Sequence, residues 1–264
     1  LCRSLEREKL TPVLETATAE IINAAGGIAP KELAATCDLV AVLGGDGTML
    51  NAANQLGPAD IPVAGINVGT LGFLTTCTDS ELDIFAKAVA QKDYTLIKRM
   101  QLLATITSAN GEKRSFRALN EVTLARGQTG RLVELDAWVD GELLNHYRAD
   151  GLIVATTTGS TAYSLSAGGP LIAPKAEVFV ITPICPHSLS NRSLVVSHSS
   201  LVELAPAENA ECPMFLTVDG RDVMAINQGD RIQVEQAGHA LPLLRLEGRN
   251  FYSTLRQKLG WGRD

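Results

Sequence analysis

The sequence predicts a two-part α/β + β fold: an N-terminal parallel α/β domain over residues 1–98 and a C-terminal antiparallel β-sandwich domain over residues 99–249. Three observations carry this prediction. Apolar strand-like runs alternate with helical stretches up to about residue 95, the rhythm of a doubly wound parallel sheet. Beyond that point the chain turns to short β-rich segments broken by turn dipeptides, the rhythm of a sandwich. Two of the early apolar runs end in glycine-rich loops, at the strand ends where open α/β sheets bind ligands.

Taken in order, residues 1–10 and 15–25 read as helical or mixed, and Leu39–Leu43 as a buried strand. Met49–Leu56 has helix-forming composition, so a helix is expected over 48–56. Ile61–Ile66 is a second buried strand, followed by the loop Asn67-Val68-Gly69-Thr70-Leu71-Gly72-Phe73-Leu74. Residues 79–91 form an amphipathic helix with Leu82, Phe85, Ala86 and Val89 on one face. Strand segments follow at Leu102–Ser108, Arg117–Leu124, Leu132–Val139, Ser193–Leu204, Phe215–Val218 and Arg231–Glu235. Turns such as Asn110-Gly111, Asp140-Gly141 and Gln228-Gly229-Asp230 separate them. A helix over 250–264 is expected to return to the first domain, and ligands favour the cleft between two such domains.

Composition bounds the function. With 264 residues, 45% hydrophobic and 20% charged, the chain is an ordinary globular protein able to bury a large core. No apolar run reaches the roughly 18–20 residues of a membrane span. A net charge of −6 argues against nucleic acid or an anionic membrane as partner. The five cysteines are scattered without C-x-x-C spacing, which fits neither a zinc site nor a disulfide framework, and a reducing cytoplasm is the expected location. Cys37, Cys77 and Cys185 read as small core residues. The chain opens at Leu1 in a helix-like stretch, so a preceding strand is expected to be missing; nothing visible resembles a signal peptide.

Gly44-Gly45-Asp46-Gly47-Thr48 directly follows the first strand. Glycine lets the chain turn sharply and a ligand approach the backbone. The helix expected after it would aim unpaired N–H groups at an anion. A carboxylate beside a phosphate cradle points to phosphoryl transfer. On spacing alone a plain turn with Asp as cap explains the residues equally well. A Walker A loop would need Lys-Ser or Lys-Thr after its last glycine, where Thr48-Met49 stands, and the dinucleotide fingerprint would need a small residue at Leu50.

Residues 156–166 hold seven Ser and Thr positions within eleven. Small hydroxyls and glycine N–H groups suit sugar hydroxyls, amides or phosphate oxygens, although a Ser/Thr-rich surface turn is the structural alternative. No G-x-S-x-G and no H-E-x-x-H is present, so neither a serine hydrolase nor a zinc hydrolase is supported. Asn120-Glu121 gains meaning only beside the other motifs.

Together these motifs resemble the bacterial NAD kinases over essentially the whole chain. The resemblance rests on Gly44–Thr48, on Gly65-Ile66-Asn67 with Gly69–Leu74, and on Asn120-Glu121. It rests also on Asp150–Ile153 running into Thr158–Pro170, the most specific segment, and on Lys258-Leu259-Gly260-Trp261. The first motif alone is shared with diacylglycerol and sphingosine kinases and, loosely, phosphofructokinases. The resemblance implies a Rossmann-like first domain, a NAD-binding β-sandwich, and transfer of the γ-phosphoryl of ATP to the 2′-hydroxyl of the adenosine ribose of NAD. It implies Mg²⁺ or another divalent cation with ATP, a cytoplasmic location and a homo-oligomer, dimer or tetramer. By the same resemblance Asp46 is the general base, and Gly44, Gly45, Gly47 and Thr48 form the phosphate loop. Asp46, Gly47, Phe73, Asn120, Glu121, Arg131, Arg148, Asp150, Thr161, Ala162, Tyr163, Ser164, Leu165 and Ser166 are implied to hold NAD.

One departure stands out: Arg221 follows Asp219-Gly220 where the family often has Gln. Arg221 would meet a phosphate or, the preferred reading, point to solvent. Two rival functions are compatible with the first motif. A lipid kinase would show an apolar acceptor pocket or a membrane-binding surface, and a non-catalytic dinucleotide sensor would bind NAD without consuming ATP.

Overall fold

The computed structural model describes residues 1–127, 130–208, 210 and 212–262. The chain divides into two compact units, Leu1–Arg99 with His239–Asp264, and Met100–Gly238.

The helical expectations at the start narrow to α1 (Cys2–Arg7) and α2 (Thr16–Ile21). An unexpected helix, α3 (Pro30–Thr36), follows. Its start signals are local: Pro30 sits in the first turn, and the Glu32 carboxylate accepts the Ala29 N–H at 3.1 Å. Then come β1 (Val40–Leu43), α4 (Asp46–Leu56), β2 (Val63–Asn67), β3 (Cys77–Thr78) and α5 (Leu82–Gln91). Helix α4 begins at Asp46, two residues before the expected position, because Gly45 takes the extended N-cap conformation.

The long strand β4 (Thr95–Thr107) leads into the second unit. There follow β5 (Lys113–Ala118), β6 (Glu121–Arg126), β7 (Val133–Val139), β8 (Glu142–Ala149) and β9 (Gly151–Ala155). The short helix α6 (Tyr163–Ser166) precedes β10 (Val178–Ile184), β11 (Leu194–Ser197), β12 (Val202–Pro206), β13 (Met214–Val218) and β14 (Arg221–Ile226). Strand β15 (Arg231–Arg245) returns to the first unit, where α7 (Phe251–Leu259) lies.

In the first unit the sheet is parallel. Strand β2 pairs β1 from Val40↔Val63 to Leu43↔Ile66, β3 at Ile66↔Cys77, and β15 at Leu243↔Val63. Ala64, Ile66, Cys77, Phe85, Leu244 and Leu246 form its core, with Leu82 and Val89 of α5 packed against them. The β15 pairing explains why residues 239–249, read from sequence as part of the sandwich, cluster here: the strand expected to stop at Glu235 continues to Arg245.

The second unit is a two-layer antiparallel sandwich. One layer is a six-stranded sheet in the order β11-β10-β9-β6-β13-β14. The facing strands run β15-β12-β7-β8, with β4 and β5 paired from Leu102↔Ala118 to Thr107↔Lys113. Leu102, Leu124, Leu135, Leu152, Leu204, Leu216 and Ile232 share the core between the layers. Strand β9 is buried on both faces: Leu152 and Val154 face this core, while Ile153 and Ala155 join a second cluster with Ile172 and Val180.

Three sequence expectations are corrected here. Arg117–Leu124 is not one strand but two, because the chain leaves β4 after Ala118 and joins β9 at Glu121↔Ala155. Ser193–Leu204 likewise splits into β11 and β12. Strand β10 was not among the expected strands, and its Pro183 is a residue that central strands usually exclude. Pro183 is tolerated because β11 stops pairing at Leu194↔Ile181, before the missing N–H would be needed. None of the five cysteines forms a disulfide; Cys77 is buried, Cys37 half-buried and Cys185 exposed, so the core assignment of Cys185 fails. Cys185 sits just past β10 at φ +43°, where the strand's alternation no longer holds its side chain inward.

Leu152→Ala, which empties a fully buried site, is expected to cost about 2–5 kcal/mol in urea unfolding. Leu189→Ala at a 90% exposed position should stay within about 0.5 kcal/mol.

Candidate active site

The first cluster is built in the first unit by the loop between β1 and α4. Gly44 closes β1 by donating its N–H to the Ile66 carbonyl at 2.9 Å. No side chain caps α4, so its N–H-bearing end is free for an anion. Gly47 and Thr48 are exposed on its first turn, and Gly45 is half-buried.

Asp46 does not act as a cap, so the plain-turn reading fails. Its carboxylate is turned to the second glycine loop, where Oδ2 accepts the Phe73 N–H and Oδ1 the Leu74 N–H, both at 3.0 Å. The approach is close enough that a Cβ at Gly72 would lie 2.2 Å from Asp46 Oδ1. Only glycine fits there. Thr75 holds the loop from the far side, its hydroxyl accepting the Gly72 N–H at 2.7 Å. Each carboxylate oxygen keeps a second lone pair, so the group can still accept from a substrate hydroxyl. The Phe73 ring is half-buried against Phe251 of α7, with centroids 6.1 Å apart.

Arg99, which no sequence motif marked, is 7% exposed and lies within electrostatic reach of Asp46 and Arg245. Burial first, and then the like charge of Arg245, lower its pKa to about 10, while Asp46 opposes the shift.

The second cluster lies in the second unit around Asn120 and Glu121, 8% and 6% exposed. The hydroxyl-rich segment proves to be a buried scaffold rather than a surface turn. Thr156 Oγ1 donates to the Leu119 carbonyl at 2.6 Å and accepts the N–H groups of Thr158 and Gly159 at 3.1 Å. Ser160 Oγ donates to the Thr157 carbonyl and accepts the Ile172 N–H. Ser164 and Thr182 share a hydroxyl bond of 2.9 Å, and Thr161 Oγ1 donates to the Thr158 carbonyl at 3.0 Å. A Cβ at Gly159 would lie 2.2 Å from the Asn120 carbonyl oxygen, so the turn and the Asn120 backbone are in direct contact. Ala162 and Leu165 are half-buried, whereas Tyr163 and Ser166 are exposed.

Asp150 pairs with Arg126, Oδ1 to Nε at 2.7 Å, a partner that the sequence reading missed. Arg148 is exposed on β8 and lies 3.5 Å from Glu134 across the strand pair. Arg131 is also exposed, and its carbonyl accepts from the Cys212 thiol at 3.6 Å. Arg221 does not simply point to solvent: its Nε is buried without a hydrogen-bond partner. Glu121 Oε2 and Thr158 Oγ1 are likewise buried and unpartnered. Such atoms are rare in folded proteins, where water, an ion or a ligand completes the bonding.

Burial raises the Glu121 carboxyl to about 7, the Asp219 charge adds to the rise, and the Tyr163 N–H opposes it. Asp219 is also raised by burial, although its oxygens face only N–H donors. Three backbone N–H groups and the Arg221 charge counter the rise at Asp219, whereas the Tyr163 N–H alone counters it at Glu121.

The sequence comparisons decide the family. The ATP-NAD kinase N-terminal domain matches residues 11–94 and the ATP-NAD kinase C-terminal domain residues 119–246. The chain belongs to the NAD kinase family. The NAD kinase of Geobacter sulfurreducens is 40% identical over 258 residues, covering 98% of this chain and 90% of that protein. That of Chlorobium luteolum is 42% identical over 261 residues with the same coverage. Among solved structures, yeast NADH kinase complexed with NADH superposes with a TM-score of 0.90 at 28% identity, covering 99% of this chain and 83% of that one. An NAD kinase from Archaeoglobus fulgidus in complex with ATP gives 0.76 at 25% identity, covering 97% and 92%. As an NAD kinase the chain is an ATP-dependent phosphotransferase that converts NAD to NADP.

Glu121 provides a test of the buried pair. Its folded pKa is raised above the ordinary 4.5, so its stabilising protonation is complete below that value and lost as pH rises through about 7. Tm of the wild type is expected to fall with rising pH across this window, and Glu121→Gln to flatten that part of the profile.

Proposed function

We propose that Asp46 is the general base of the kinase, orienting the 2′-hydroxyl of the adenosine ribose of NAD and accepting its proton. The observation that carries this is the carboxylate gripped by the Phe73 and Leu74 N–H groups at the uncapped start of α4. The helix end and the Gly44–Thr48 loop receive the phosphates of ATP. The ribose oxygen bonds to the γ-phosphorus as the bond to the β-phosphate oxygen breaks. ADP leaves, and the proton of the hydroxyl passes to Asp46. Such a transfer is mostly positioning and charge stabilisation.

The second unit holds the dinucleotide through Asn120, Glu121, Asp150 and the Thr161–Ser166 turn, with Arg131, Arg148 and Arg221 as further polar contacts. The unpartnered buried atoms of Glu121, Thr158 and Arg221 support this assignment. Phe73 contributes its N–H to Asp46 and its ring to the acceptor side.

A divalent cation, Mg²⁺ in the first place, accompanies ATP. Among the described residues no three His, Cys, Asp or Glu side chains converge on a cation site, and the Asp46 oxygens already face two N–H donors. This donor set suits an ion carried by the nucleotide's phosphates. When bound, the ion neutralises charge on the β- and γ-phosphates. No helix among the described residues is long and apolar enough to cross a membrane. Cytoplasmic location and assembly as a homodimer or homotetramer complete the proposal.

Asp46→Asn keeps the shape and loses the base. Expected is a fall in kcat of about 10²–10⁴-fold with NAD binding by calorimetry within a few-fold of wild type. NADP formation, read by an NADP-specific dehydrogenase couple, decides it; activity within a few-fold of wild type would sink the assignment.

A further inference from the structure

We infer that Asp219 is the positioning residue of the dinucleotide-binding side: through the backbone of Leu119–Glu121 it sets the direction in which the Asn120 and Glu121 side chains meet NAD. The inference rests on the reading that these two side chains contact the dinucleotide.

The geometry starts from the strand switch. After Ala118 the chain leaves its ladder with β4, and at Glu121 it enters the ladder with β9. Between them the N–H groups of Leu119, Asn120 and Glu121 turn to one carboxylate. Asp219 Oδ2 accepts the first at 2.8 Å, and Oδ1 accepts the second and third at 2.8 and 3.1 Å. The carbonyls of the same three residues are also taken. Leu119 accepts the Thr156 hydroxyl at 2.6 Å, Asn120 the Thr156 N–H at 2.8 Å, and Glu121 the Asp219 N–H at 3.0 Å. Every backbone polar group of the tripeptide is therefore fixed by two residues. The Glu121 carboxyl accepts the Tyr163 N–H and keeps Oε2 buried and unpartnered.

Asp219 is itself rigidly held. With Gly220 it forms the two-residue turn between β13 and β14, at φ +50° and +72°, and Val218 pairs Arg221 across it. Both positive φ values fit a type I′ hairpin, for which Asn-Gly serves at least as well as Asp-Gly. The turn alone therefore does not require a carboxylate. The three N–H groups do, because they occupy both carboxylate oxygens, and an Asn amide offers one acceptor oxygen and sets its NH₂ against the donor on the other side. A carboxylate buried this deeply is costly unless its bonds are needed.

Asp219→Asn preserves the turn and removes one acceptor. Steady-state kinetics should show KM for NAD raised about tenfold or more, with KM for ATP within about twofold of wild type. In a background carrying both Asn120→Ala and Glu121→Ala the same change should raise KM for NAD less than threefold, since its effect runs through those two side chains. If Asp219→Asn does not fold, Asp219→Glu, which keeps both acceptors but displaces them by one methylene, carries the same expectations. A folded variant whose KM for NAD stays within twofold overturns the inference while Glu121→Gln still impairs NAD binding. So does an undiminished effect in the background that lacks both side chains. If Glu121→Gln and Asn120→Ala both leave KM for NAD unchanged, the dinucleotide reading of these residues falls, and the inference with it.

Discussion

Backbone N–H groups that leave a sheet ladder must find an acceptor, and the sandwich depends on Asp219 to supply it where the chain crosses from one layer to the other between β5 and β6. Strands β5 and β6 belong to different sheets, and three consecutive N–H groups between them meet a single carboxylate. Unsatisfied, each would cost about 1–3 kcal/mol on burial. The crossing is also where Asn120 and Glu121 stand, so the device that lets the chain change layers presents the residues assigned to the substrate.

The first unit uses the same physics on a smaller scale. Asp46 takes the N–H groups of Phe73 and Leu74 and ties the first glycine loop to the second. In both units a carboxylate near the sequence motif is held by main chain rather than by a cation. Main-chain donors fix direction without lending a full positive charge, which leaves the carboxylate available as an acceptor. Arg99 lies within electrostatic reach of Asp46, and Arg126 holds Asp150 directly.

The hydroxyl-rich turn illustrates how a motif can be right and its first explanation incomplete. Composition placed sugar- or phosphate-binding hydroxyls over 156–166, yet Thr156, Ser160, Thr161 and Ser164 spend their bonds on the protein. Their small size matters more than their donors. They let the turn pass beneath Asn120, close enough that Gly159 has no room for a side chain.

The parallel sheet, the helix α5, the sandwich and the glycine loops were legible because each follows from local rules: periodicity, β-rich runs and turn dipeptides. The family resemblance marked Asp46, Asn120, Glu121 and Asp150 from adjacent residues in the chain. What sequence could not show depends on partners far away along it. Asp219 reaches Leu119 across 100 positions, Arg126 reaches Asp150 across 24, and Leu244 accepts the Thr76 hydroxyl across 168. The continuation of β15 to Arg245, the buried Nε of Arg221 and the raised pKa of Glu121 are of the same kind. Sequence by itself determined the elements and the chemistry on offer, because propensity and pattern are read within a few residues. Tertiary structure alone decided which carboxylates are desolvated and which donors they meet, because burial and hydrogen bonding are set by segments that only folding brings together.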